Sequence, residues 1–403
     1  MNRVLEKILA GNLFQKMCKN PYMLLDNIIS APVRKQYMKH ELVQNNKIIF
    51  STFNGEYTCN PKAITEEILR RDLPWEIIWL KKGSTENIPE KVRCVTPHSA
   101  EFYIEAATSK VWISNSITMT YYGAAKKDNQ ILIQTWHGSI GLKRFNVESN
   151  KKWVKMARKD AKITDYCISN STFENDVFRE SLWENSEILQ FGHARNDILL
   201  KDDRDENIIA IKEKIRSLYN ISSDKKIALY APTFRDDKGL EHYDIDYEAL
   251  RNALSRRFGG EWVILTRLHS RLKKLSKYLE EQFPDFVINC SHYPDIQEIM
   301  LLADVGITDY SSWICDYILT KKPGFIFATD LADYNQERGF YYPLNTLPYP
   351  IAENNEQLIQ NILNFKTEGF AEKCDEFLKS KGCIDDGHAA ERIVDKLEEI
   401  MKG

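Results

Sequence analysis

The sequence predicts an α/β protein: two Rossmann-like domains, each built on a parallel sheet, face each other across a cleft behind an N-terminal helical arm. Three observations carry this. Short apolar, β-branched runs alternate with helical stretches from residue 46 onward, and the intervening segments are long enough for the crossover helices that parallel strands need. The alternation stops once, at the charged stretch 201–207, which reads as an exposed linker, and then resumes. The chain of 403 residues suits two or three domains of roughly 100–200 residues each.

Composition agrees. Hydrophobic residues make up 43% and charged residues 28%, enough for real cores, which excludes a disordered or collagen-like chain. With 55 Lys+Arg against 58 Asp+Glu, the formal net charge of −3 lacks the basic excess of a dedicated nucleic-acid binder.

Residues 1–45 form the arm. Val4, Leu5, Ile8, Leu9 and Leu13 recur at helical spacing, and seven basic against three acidic residues leave a net +4. This is a membrane-surface or partner-binding helix, or equally a helix packed on the first domain. Strands follow at 47–53, 75–80, 92–96, 110–115, 131–136, 166–170 and 188–191, giving a first domain over 46–204. A second domain over 205–403 has strands at 227–231, 262–266, 286–289, 305–308 and 325–327, then helices over 354–401.

The eight cysteines are scattered singly, with no C-x-x-C and no zinc-type histidine spacing; several sit in apolar runs, the pattern of buried free thiols in a reducing compartment. No 18-residue apolar run and no apolar leader is present, so a cytoplasmic protein able to rest on a membrane surface is expected.

In paired parallel sheets, ligands bind at the carboxyl ends of strands. Five such ends carry polar chemistry. Gln134-Thr135-Trp136-His137-Gly138-Ser139 leaves an apolar run and puts His137 at a strand end, as a proton acceptor for an attacking hydroxyl or as a hydrogen-bonded turn residue. In Leu265-Thr266-Arg267-Leu268-His269, Arg267 and His269 point to one side of an extended backbone; they suit a diphosphate or form a basic turn. Thr308, Asp309, Ser311 and Ser312 precede a helical stretch, where capping and anion binding are compatible; Asp309 suits a supporting role. Thr233 and Arg235 leave the first strand of the second domain, where they suit a phosphate or the acceptor, and Asp330 to Arg338 form a polar segment after an apolar strand that is a ligand loop or a turn. No Walker loop, no G-x-G-x-x-G after a strand and no D-x-D is present, so no metal site is assigned and a metal-dependent nucleotide-sugar mechanism has little support.

Taken together, these motifs resemble the CDP-glycerol glycerophosphotransferase family of wall teichoic acid and capsule assembly. The likeness runs through Phe50 to Gly55 with Asn60-Pro61, Gln134 to Gly138, Phe191 to Asp197, Tyr230 to Arg235, Arg267 to His269, Thr308 to Ser312, Asp330 with Tyr334 and Arg338-Gly339, and Asp386-Gly387, in the family's order. Departures from its commoner residues lie at Gly192-His193-Ala194-Arg195, Ser139-Ile140 and Ser270. The resemblance implies a GT-B fold with a CDP-polyol held mainly by the second domain. It implies His137 as general base, His269 at the donor diphosphate, Arg267, Ser311, Ser312 and Arg338 on phosphates, and Thr233, Arg235, Thr308 and Asp330 in the donor site. No cofactor is expected beyond the substrate, CDP-glycerol or CDP-ribitol.

The implied partner is an undecaprenyl-diphosphate-linked saccharide or polymer acceptor on the cytoplasmic membrane face. Lys143, Arg144, Lys151, Lys152, Lys155, Arg158 and Lys159 belong to a segment, 142–162, with eight basic and two acidic residues, a net +6; it is an anionic-lipid surface or a solvated helix face. The family's polymerising members often carry an extra N-terminal domain, so by this resemblance the stretch of about 45 residues before the first strand favours a primase-like or short-chain transferase. A CDP-ribitol transferase and a GT-B sugar transferase are the enzymatic alternatives. A non-enzymatic scaffold would not be expected to keep all the phosphate-site side chains together.

Overall fold

A computed structural model describes residues 41–141, 143–145, 151–235 and 243–402, with the backbone alone described at 54, 151, 152, 270, 273 and 335–338. All but the last five residues of the expected arm lie outside the described residues.

Two parallel sheets form the molecule. The first contains β1 (Gln44–Ser51), β2 (Glu76–Leu80), β3 (Val92–Val95), β4 (Ser109–Ser114), β5 (Ile131–Gln134), β6 (Tyr166–Ser169) and β7 (Glu187–Gln190), in the order β3-β2-β1-β4-β5-β6-β7. The second contains β8 (Lys226–Tyr230), β9 (Trp262–Thr266), β10 (Val287–Asn289), β11 (Val305–Thr308), β12 (Gly324–Phe327) and β13 (Ile351–Ala352), in the order β10-β9-β8-β11-β12-β13. Every expected strand is present. β13 went unseen because two residues carry no readable period.

The strand sequences are continuously apolar because helices cover both faces. Period-two alternation divides β1: Ile48 and Phe50 join one core with Ile77, Trp79, Val111 and Ile113, whereas Ile49 joins the opposite core with Ile78, Leu80 and Trp112. In the second sheet Gly306 on β11 permits close helix packing, since a Cβ there would lie 2.8 Å from the Tyr317 ring. The helix Trp313–Tyr317 therefore lies directly over the strand that leads into it.

The last helix, Ala389–Lys402, differs from the expected division. It returns to the first sheet, where Ala390, Ile393, Val394, Leu397 and Met401 complete the core around Ile48 and Phe50. Its apolar stripe finds its face far away in sequence, a pairing no local pattern reveals. Strand order reverses between β1 and β4 in one sheet and between β8 and β11 in the other, so each sheet has one switch point at its carboxyl edge.

Candidate active site

One strand beyond the first switch point, β5 ends and the backbone turns through Trp136 at φ 51°, a left-handed conformation that costs a bulky residue of order 1–3 kcal/mol. The Gln134 side-chain oxygen accepts the Trp136 N–H at 3.0 Å within this turn. His137 follows, with Nδ1 2.6 Å from the Asn115 carbonyl. A carbonyl only accepts, so Nδ1 carries the proton and Nε2 presents a lone pair. The residue is exposed, and its ring packs beside Phe53 and Trp136, at centroid distances of 5.2 and 4.2 Å. Desolvation by the dense surrounding protein lowers its pKa to about 4, against the Asn115 hydrogen bond and with the help of the Arg195 charge. At neutral pH the imidazole is uncharged and able to take a proton. Asn115, at the end of β4, also accepts the Phe53 N–H on its side-chain oxygen at 3.0 Å, tying the ends of β1, β4 and β5 together.

His137 opens into a cavity of about 310 Å³ whose walls include Trp136, Lys143, Phe145, Phe173, Glu174 and, from the second half, Ser312. Ser312 precedes the helix Trp313–Tyr317 and its side chain makes no capping hydrogen bond there. The cavity thus brings two predicted residues from opposite sheets, His137 and Ser312, into one space. Ser311 is half-buried one residue earlier.

The ends of β8 and β9 carry the next group. His269 is exposed, stacked on Phe234 with centroids 4.4 Å apart, and its Nδ1 accepts the Arg271 N–H at 3.3 Å. That leaves Nε2–H as a donor, the opposite tautomer to His137. Arg267 is half-buried, and its Nη1 donates to the Cys290 carbonyl at 3.3 Å and to the Tyr293 carbonyl. It holds the loop after β10.

Three of the residues expected at the donor, Arg235, Thr308 and Asp330, are buried and bonded to other protein groups. Arg235 is buried: Nε and Nη2 donate to Asp330 at 2.7 and 2.8 Å, and Nη1 donates to Asp309 at 2.7 Å and to the Thr233 carbonyl at 2.9 Å. Burial opposes its charge, but the two carboxylates outweigh that and raise its pKa. Asp330 also accepts from the Tyr310 hydroxyl at 3.0 Å. The buried Thr308 hydroxyl donates to the Ala231 carbonyl at 2.8 Å. Arg235 and Asp330 are thus engaged by ion pairing and Thr308 by a backbone hydrogen bond. Asp309 also accepts the Thr233 N–H at 2.8 Å. The Thr233 hydroxyl is buried without a hydrogen-bond partner among the described residues. Arg338 ends the helix Leu331–Arg338, and its side chain lies outside the described residues.

The basic segment divides. Lys143 lines the cavity and pairs in a short antiparallel bridge with Phe340, and Arg144 donates from Nε to the Phe340 carbonyl at 3.0 Å. These two span the halves rather than face outward together with the helix. On the helix Lys151–Ala161, Lys155, Arg158 and Lys159 are exposed, with Lys162 just beyond, while Val154, Ala157 and Ala161 are buried. The spacing i, i+3, i+4, i+7 puts the four cations on one stripe. The side chains of Lys151 and Lys152 lie outside the described residues.

Sequence reasoning missed the aromatic wall of the cavity and the buried polar seam behind it. Among the seam residues, Arg195 pairs with Asp316 at 2.9 Å and His193 Nε2 lies 2.8 Å from Glu174. The signal was the run Gly192 to Asp197, which carries four polar side chains in a segment that folds as a buried turn, Ala194–Leu200. Among the described residues no helix is long and apolar enough to cross a membrane, and the seven described cysteines are free.

Comparison with known proteins gives one family. The model of the CDP-Glycerol:Poly(glycerophosphate) glycerophosphotransferase family matches residues 33–399. The chain is 31% identical to a teichoic acid poly(glycerol phosphate) polymerase of Staphylococcus epidermidis over all of its own length and 57% of the relative's. It is 31% identical to a teichoic acid glycerol-phosphate transferase of Staphylococcus aureus, covering 88% of this chain and 93% of that one. The chain thus spans little more than half of the first relative and most of the second. A solved structure of the wall teichoic acid polymerase TagF superposes with a TM-score of 0.81 at 30% identity, over 98% of this chain and 99% of the other. The fold is GT-B-like, as expected from the sequence.

Proposed function

The chain belongs to the CDP-glycerol:poly(glycerophosphate) glycerophosphotransferase family, and on that premise we propose that it transfers glycerol phosphate from CDP-glycerol to a hydroxyl of a membrane-linked teichoic acid or capsule precursor, releasing CMP. The acceptor is undecaprenyl-diphosphate-linked, and the enzyme works at the inner face of the cell membrane without a metal ion. The observation that carries the reading is the shared cavity: a neutral histidine with a free Nε2 lines the same 310 Å³ space as the start of a helix from the opposite sheet.

In the proposed reaction the acceptor oxygen attacks the phosphorus bearing glycerol. Nε2 of His137 takes its proton, a new P–O bond forms, and the bond to the CMP oxygen breaks with its electron pair leaving on CMP. Little covalent chemistry falls to the protein, so alignment and charge neutralisation dominate. The Nε2–H of His269 and the cation of Arg267 receive the growing charge on the leaving phosphate, with Ser311, Ser312 and the helix end. The exposed cations of the helix Lys151–Ala161 support contact with anionic lipid, each contributing about 1 kcal/mol near such a surface.

The test is CMP release from CDP-glycerol and from CDP-ribitol, with a lipid-linked saccharide acceptor and a chelator present. Acceptor-dependent release from CDP-glycerol that disappears in His137→Ala is expected. Release from CDP-ribitol alone would reassign the donor. Release from neither, or undiminished release in the variant, would overturn the reaction or the base.

A further inference from the structure

The peptide that carries His137 is gripped from behind by a side chain with no assigned role, and we propose that Asn60 is a positioning residue that registers the base against the donor-phosphate helix. The proposal rests on the reading of His137 as the base.

Asn60 sits in the first turn of the helix Cys59–Arg70 and is fully buried. Its Nδ2 donates to the Thr135 carbonyl at 3.0 Å and to the Trp136 carbonyl at 3.2 Å, the two peptides that immediately precede His137. Its Oδ1 accepts the Arg195 N–H at 3.0 Å. A left-handed Trp136 persists only if its surroundings over-determine it, and the double donation to its peptide supplies that constraint.

The other end of the bracket lies in the second half. The Arg195 guanidinium pairs with Asp316 at 2.9 Å, with both side chains buried. Asp316 also accepts from Asn196 at 3.1 Å and from Gln297 at 3.3 Å. It belongs to the helix Trp313–Tyr317, whose N-terminus is marked by Ser312 in the His137 cavity. A continuous buried path therefore runs from the His137 turn through Asn60 and Arg195 to Asp316. It fixes the distance between the two sides of an in-line transfer, where a misplacement of about 1 Å costs on the order of 10²-fold in rate.

The chemistry requires an amide. It supplies two donors and an acceptor at once, and an aspartate would keep the acceptor while turning an oxygen toward two carbonyls.

The experiment is a double-mutant cycle on the full chain: wild type, Asn60→Asp, His137→Ala and the double variant, read as kcat and KM for CMP release, with donor affinity by calorimetry. Asn60→Asp is expected to lower kcat about 10²-fold with donor affinity unchanged, and to cost nothing further in the His137→Ala background. Wild-type kcat in Asn60→Asp, or a loss that persists undiminished beside His137→Ala, would overturn the proposal. If Asn60→Asp fails to fold, Asn60→Ser enters the same cycle and is read against the same outcomes. A His137→Ala enzyme as active as wild type would instead remove the base reading, and this result is separate from the other two.

Discussion

His137 and His269 leave strands of different sheets and offer opposite chemistry. The first gives its Nδ1–H to the Asn115 carbonyl and keeps a free lone pair; the second accepts the Arg271 N–H on Nδ1 and keeps a free N–H. The first is set in a strained turn among aromatic rings, the second is stacked on Phe234 at the surface. One residue type thus becomes an acceptor in one half and a donor in the other, decided by which backbone group its inner nitrogen meets. The charged neighbours also differ. At the second switch point the carboxylates of Asp309 and Asp330 hold the buried Arg235 guanidinium between them, whereas His269 stands exposed beside Phe234.

The strongest way to break this contrast is at His137, the proposed base. His137→Ala should lower the rate by roughly 10²–10⁴-fold with the fold intact, and His137→Asn should do no better, since an amide takes no proton. The pH profile sharpens the same point. A ring with its pKa lowered to about 4 is neutral well below pH 6.5, so kcat/KM should hold through mildly acidic pH and fall only as pH approaches 4. An acid limb near 6.5 would mean that the ring is not desolvated in the working enzyme.

Arg235→Met tests the buried ion-pair cluster. Leaving two buried carboxylates without their cation should cost about 3–5 kcal/mol of stability, seen in denaturant or thermal unfolding. A stable variant with only a raised donor KM would return Arg235 to the donor contacts. His269→Ala should cost roughly 10²–10³-fold, the magnitude for a donor to developing charge, and His269→Asn should recover part of it because an amide N–H still donates. Equal loss in both variants would erase the difference drawn between the two histidines.

The smallest effect belongs to the outer helix. Replacing Lys155, Arg158 and Lys159 together by Gln should weaken binding to anionic vesicles by about 3 kcal/mol while leaving turnover on a soluble acceptor unchanged. Unaltered vesicle binding would make the stripe a solvated face.

Much of this was legible before any coordinates. Twelve of the thirteen strands show in apolar runs, and the polar motifs at their ends mark the cleft, because both signals are local. Legibility failed where partners are distant. Arg235 and Asp330 are separated by 95 residues, and the two strand ends look equally ligand-like until the sheet sets them face to face. Likewise Lys143 and Arg144 belong to a basic run by composition, yet meet Phe340 from the other half. The sequence by itself determined the alternation of strands and helices, the order of motifs and the family. Tertiary structure alone decided which of those polar groups remain available, which face the last helix covers and which nitrogen each histidine offers. The physical reason is that periodicity reports a residue's neighbours along the chain, whereas the fate of a charge or a proton is set by the groups folded against it.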